Sequence, residues 1–327
     1  AGTAAAGAIG TLRCGGDWSS DPSFAPTSGT VEFDGIAPTT VTPATTGAPL
    51  ALPAVVVKNG PRTVLGAAPF TATSANIQSG AALRAGSGTA MVFALSAPTV
   101  SGTLGADAGG TIALGAATNL VVPASGTLSL VGTPTNRATL TSFGAAGYGA
   151  TVNGTLEAMN ARIEFMGPAG FVVAQSATIA APPRDVRNVF FDNPFSPTSC
   201  LLDIRRSVAT DFRYCVFEKS NAVAASNVRC GGGAPLTFTN WAGTLAGEAQ
   251  DDDALNLVAW APPEVTALAL LATVPGVAKA TTIWSMFSVV DAEAFVLERS
   301  DAGGPYAAVH ETPTAGNGPY AFVDDPL

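Results

Sequence analysis

Charge is scarce in this chain of 327 residues: Asp, Glu, Lys and Arg together make up 12%, about half of ordinary usage. Helix bundles are disfavoured, because they draw on Leu, Glu, Lys and Arg in amounts this chain lacks. His310 is the only histidine and no C-x-x-C pair occurs, which excludes the usual zinc and haem-attachment patterns. Long apolar runs are missing as well. Gly, Ser, Thr and Pro interrupt each one short of the ~18 residues of a membrane helix, and the most apolar stretch, Val265 to Ala278, contains Pro275. No membrane span is expected. A net charge of -9 without a basic cluster argues against a nucleic-acid partner. No basic-then-apolar signal opens the sequence, and its start, Ala1-Gly2-Thr3-Ala4, reads as a processed terminus or the start of a fragment.

What is abundant is small residues and turns: Gly 36 and Pro 24, beside a hydrophobic content of 47% that is ordinary for a folded protein. The glycines have no triplet period, which excludes collagen. An all-β chain of many short strands is expected. Its charge is uneven. Residues 1–150 balance Arg13, Lys58, Arg62, Arg84 and Arg137 against Asp17, Asp21, Glu32, Asp34 and Asp107, so all the net acidity lies beyond residue 150.

One phrase recurs: a small polar residue, Gly, a small residue, then alternating apolar positions. It stands at Ser79-Gly80-Ala81-Ala82-Leu83, Ser101-Gly102-Thr103-Leu104, Ser125-Gly126-Thr127-Leu128 and Asn153-Gly154-Thr155-Leu156, with an earlier copy at Ser28-Gly29-Thr30-Val31-Glu32-Phe33. A period in the low-to-middle twenties, holding two or three short strands, suits one coil of a parallel β-helix. Gly is expected to supply positive-φ corners, and stacked inward positions favour Val, Ile, Leu, Ala and Thr. The competing arrangement is a Gly-rich antiparallel sandwich. Beyond residue 160, Val189-Phe190-Phe191-Asp192 and Val216-Phe217-Glu218 align as phrases one wider coil apart. Trp241 and Trp260 are expected to cover the end of the core, as a solenoid requires.

Ala261-Pro262-Pro263 reads as a linker. The strand-like succession after it, with Trp284 on a second strand, Phe295 on a third and Leu327 before a sixth, resembles a bacterial fibronectin type III domain. The chain stops before that family's sixth and seventh strands, which implies continuation beyond Leu327 or strands supplied by a neighbour. The region before it is similar to β-helix segments of large secreted bacterial surface proteins, through Trp18, Ser28 to Phe33 and Gly247 to Asp253. The expected fold is therefore all-β, a right-handed parallel β-helix over 1–260 followed by an incomplete type III-like sandwich over 261–327.

Candidate chemistry is sparse. An Asp192–Glu218 carboxylate pair could serve a glycosidase or lyase, against a solvated salt-bridged face as the plainer reading. Glu248, Asp251, Asp252 and Asp253 could hold calcium, or form an acidic turn. Cys14, Cys200, Cys215 and Cys230 could form disulfides in an oxidising compartment, or stay buried thiols. His310 reads as a surface residue, and Gly231-Gly232-Gly233 as a turn rather than a phosphate cradle. No catalytic residue or cofactor is assigned. The expectation is a secreted, extracellular or cell-surface structural protein that associates with copies of itself or other surface proteins, with an adhesive role and glycans as further partners. The alternative is a carbohydrate-active β-helix, a lyase, depolymerase or glycan-binding module.

Overall fold

A computed structural model describes residues 7–21, 23–43, 50–116, 118–144, 147–195, 200–220 and 226–261, and the strands 280–286, 294–299, 307–313 and 318–324 as backbone. Contacts divide the chain into two units, Ala1–Ala261 and Pro262–Leu327. The first is a parallel β-solenoid of about ten turns. Strands form because the sequence alternates: Ala81, Leu83 and Ala85 are buried while Ala82 and Arg84 between them are half-exposed.

The recurring phrases lie on top of one another. Leu83, Leu104, Leu128 and Leu156 pair position for position on successive coils, with Arg62 before them and Ile179 after. The copy at Ser28–Phe33 lies in a different stack, between Ala8–Cys14 and Leu50–Val57. The coil changes shape at Phe70–Ile77. The beginning of that strand pairs with Ala90–Phe93 and its end with Thr99–Val100. After this split each coil has three faces. Met91, Ile112, Leu140, Ile163, Phe191 and Phe217 stack on a second face, and Leu120, Ala150, Phe171, Leu202 and Val228 on a third.

Two glycines of the phrase, Gly29 and Gly80, supply positive φ as expected, at 110 and 80°. The other three work by closeness: a Cβ on Gly102, Gly126 or Gly154 would meet a carbonyl oxygen of the neighbouring coil at 2.2, 2.3 or 2.1 Å. On the later coils Gly170 and Gly233 also turn left-handed, at 70 and 75°, but one corner belongs to other residues. Asn160, Asn188, Tyr214 and Asn240 occupy one corner on four successive coils with φ of 49, 51, 56 and 54°. Asn tolerates this region because its amide bonds locally. Asn188 Nδ2 donates to Asn160 Oδ1 at 2.6 Å, and Asn160 Nδ2 to the Gly132 carbonyl at 3.2 Å.

Aromatic columns close both ends of the core. Phe212 stacks on Phe238 at 4.8 Å and Phe238 on Trp260 at 4.7 Å, with Trp241 edge-on to Trp260. At the other end Trp18 meets Phe24 and Phe33 edge-on.

All four cysteines are free, so the structure holds the thiol reading and not the disulfide one, with Cys200 and Cys215 buried and Cys14 and Cys230 partly so. Cys200 and Cys230 share a face, but Cys200 pairs with Ser226 and Cys230 with Ile204. Four strand positions, about 13 Å, separate them, twice what a disulfide spans. Cys215 lies at another corner and Cys14 in the first coil.

In the second unit Ala280–Met286 pairs antiparallel with Gly318–Asp324, and Ala294–Arg299 with Ala307–Pro313. Trp284, Phe295 and His310 fall on these strands, whereas residues 264–268 and Leu327 lie outside the described residues.

Candidate functional site

Many carboxylates of the solenoid are tied to cations, some from coil to coil and some, Asp185, Asp203 and Asp211, to the arginine two residues on. Arg84 binds Asp107 and the Ser129 hydroxyl, Ser129 donates to Glu157 at 2.7 Å, and Arg184 closes the run on Glu157. Arg162 bridges Glu164 and Asp192, both at 2.7 Å. On the third face Asp203 holds Arg205 at 2.8 Å, and Arg229 reaches Asp252 at 2.8 Å. In the early coils Glu32 takes Arg13 and Lys58, and the Lys58 hydrogen bond holds its carboxyl below the usual range.

The Asp192–Glu218 juxtaposition exists in register, since Phe191 lies over Phe217. Its chemistry is not that of a free pair. Asp192 is buried and accepts from Ser220 and from Arg162, while Glu218 accepts from the Thr244 hydroxyl one coil further on. The acidic turn is divided in the same way. Asp251 accepts the Trp260 indole N–H, Asp252 binds Arg229, and Asp253 accepts the backbone N–H groups of Leu257 and Val258. Glu248 sits exposed in a short 3-10 turn. Among the described residues no group of three His, Cys, Asp or Glu side chains converges on a common point. Burial pushes the Cys200 thiol up to about 11 and the Cys215 thiol to about 12, so neither is a poised nucleophile.

One concave feature stands out on the later coils. An open polar cleft of about 690 Å³ is lined by Asn153, Gln175, Ser176, Arg205, Gly231 and Gly232, with Ala174 at its side. These residues follow the third-face strands at the same corner. The N–H groups of Ala174, Arg205 and Gly231 bond the carbonyls of Val152, Val173 and Ile204, each on the preceding coil, at 2.8–2.9 Å. The cleft therefore runs along the solenoid axis across four coils, about 14 Å at the usual strand spacing. Its one lining charge is Arg205, whose side chain is 54% exposed while its partner Asp203 is 1% exposed. Both Nε and Nη2 of Arg205 donate to Asp203 Oδ2, which fixes the guanidinium plane and raises its pKa. Arg206 beside it donates to the Ala177 carbonyl and the Thr210 hydroxyl.

The sequence reads Gly231-Gly232 as a turn and gives Arg205 and Arg206 no role. It does not join them to Asn153 and Gln175. The joining signal is the residue that follows each inward Val, Ile or Cys at the end of the third face. The coil lengths there, 21, 31 and 26 residues by register, are too irregular to align unaided.

No protein-family profile matches the chain, and neither curated proteins nor solved structures contain a significant match. Among the described residues no helix is long and apolar enough to cross a membrane.

Proposed function

We propose that this chain is a structural building block of an extracellular surface or fibre, acting by self-association with an adhesive role rather than by catalysis. The observation that carries the reading is the charge of the coils between Arg62 and Arg137, whose one charged pair, Arg84 and Asp107, neutralises itself and leaves nearly uncharged flanks that can pack against copies of the chain. Several of the carboxylates that a lyase or glycosidase would need are engaged in ion pairs, which weighs against the carbohydrate-cleaving alternative. Right-handed winding, the common hand of parallel crossovers, belongs to this proposal, as do secretion and a type III-like terminal module.

Sedimentation and electron microscopy of the full chain test it. Oligomers or filaments should grow with concentration, more readily as salt screens the net charge of -9. Leu95→Lys, at a position 75% exposed on the nearly uncharged coils, should cut assembly without moving the unfolding midpoint. A monodisperse monomer that depolymerises a uronate polymer would overturn the reading.

A further inference from the structure

We propose that the axial cleft is a binding groove for an acidic glycan, a linear chain of uronate-type sugars laid along the solenoid with one carboxylate on Arg205. This goes beyond the assembly reading and does not depend on it, since the cleft lies on the later coils and not on the nearly uncharged coils between Arg62 and Arg137.

Three observations carry the proposal. The first is charge. Among the described residues Arg205 is the only ionised side chain lining the cleft, and the nearest carboxylate, Asp203, is buried, with its Oδ1 3.8 Å from where a Gly231 Cβ would stand. Asp203 takes donors of the guanidinium on Nε and Nη2, and Nη1 takes no part in that pair. A cation held rigidly by a buried partner is prepared for a planar oxyanion, which it can bind without first losing side-chain freedom.

The second is the lining. Gln175 presents an amide that can donate and accept, while Asn153, whose Nδ2 donates to the Val122 carbonyl, and Ser176, whose hydroxyl donates to the Asn153 carbonyl, present acceptor oxygens. That is the complement of a polyhydroxylated ring, which has donors and acceptors of its own. An extended acidic peptide would want free backbone groups for strand addition. The corner's N–H groups are already bonded to the preceding coil, at Ala174, Arg205 and Gly231. The observations thus favour a glycan over a peptide.

The third is shape. The cleft spans four coils and has a flat glycine end. A Cβ on Gly231 would have only ordinary contacts, 3.5 Å to Arg205 Cγ and 3.8 Å to Asp203 Oδ1. The space is therefore open rather than required by packing. A groove of 690 Å³ is far larger than a single small anion needs and lies in the range of organic ligand sites.

The test is isothermal titration of the full chain with a galacturonate trimer and a hyaluronan tetrasaccharide. A methyl-esterified galacturonate trimer, an oligoglutamate and inorganic phosphate serve as competing probes. At least one uronate oligosaccharide should bind saturably, with the methyl ester at least tenfold weaker. Binding should weaken as salt rises from about 0.05 to 0.5 M. Gly231→Gln places an uncharged side chain in the cleft beside Arg205, at a position that accepts a Cβ, and should weaken binding at least tenfold with an unchanged unfolding midpoint. Arg205→Gln should weaken binding as much but also lower the midpoint, because it strips buried Asp203 of its nearest cation, so Gly231→Gln is the deciding variant. The proposal falls if neither uronate oligosaccharide binds or if Gly231→Gln binds normally. It also falls if phosphate or oligoglutamate binds as tightly and displaces the sugar.

Discussion

Asn188 offers the sharpest test of how the later coils hold their corners. Replacing it with Ala removes its donation to Asn160 Oδ1, which lies on a side chain only 9% exposed, and the acceptor that Arg137 Nη2 reaches at 3.1 Å. Hydrogen bonds of this kind contribute about 1 kcal/mol each, somewhat less for the part-exposed arginine contact. Ala must also hold φ near 51°, which costs a residue with a Cβ about 1 kcal/mol more than Asn or Gly. Asn188→Ala should therefore lose about 3 kcal/mol. Asn188→Gly, which keeps the backbone conformation and loses only the side-chain bonds, should lose about 2 kcal/mol. Arg137 keeps its bond to the Asn188 carbonyl in both. Urea unfolding followed by circular dichroism, at a concentration where the chain is monomeric, measures the difference, and equal slopes for all three proteins license the comparison. If Ala and Gly variants coincide, the left-handed corner carries no strain and the reasoning fails. If both lie within about 0.5 kcal/mol of the parent, the side-chain ladder contributes nothing either.

Two further predictions rest on the same geometry. Gly154→Ala should destabilise by on the order of 3 kcal/mol, because its Cβ would meet the Gly126 and Pro123 carbonyls, backbone that cannot yield locally. Gly10→Ala, with nothing within 4 Å, should be neutral to slightly stabilising by urea unfolding. For the thiols, the folded pKa values of about 11 at Cys200 and 12 at Cys215 lie above the unfolded ~8.5, so the folded state holds its protons longer. Their contribution is intact below about pH 8.5 and is lost as pH rises toward those folded values, by about 1.4 kcal/mol per group per pH unit. Cys215→Ala should flatten that alkaline decline, and a decline unchanged in the variant would refute the assignment. Thiol titration should find four reactive groups after denaturation without reductant, with Cys200 and Cys215 protected in the native state; fewer than four would restore a disulfide.

Particular residues show what could be read early and what could not. The Ser-Gly-Thr-Leu phrase announced a parallel stack, because a strand that must lie on its own copy repeats its inward residues. Leu104, Leu128 and Leu156 do pair as the spacing implied. Asn160, Asn188 and Asn240 were equally visible as letters, spaced by one coil and then two, yet were passed over because glycine was expected at left-handed corners. The cysteines left two readings open, because an even number says nothing of register, and it is register that places Cys200 and Cys230 four positions apart.

By itself the sequence determined the class of architecture and the texture of its parts: β strands from two-residue alternation, coils from a period of twenty-odd residues, neutral early flanks and charged later ones. These follow from local rules, which act within a strand or between one phrase and the next. Only the tertiary structure decided which outward residues share a corner. The polar cleft joins Asn153, Gln175, Arg205 and Gly231 across coils of unequal length, and carboxylates such as Asp192 and Asp252 are paired with arginines of another coil. Such neighbours are set by the sum of every loop between them, so a single residue's difference in coil length would turn each strand's outward set inward.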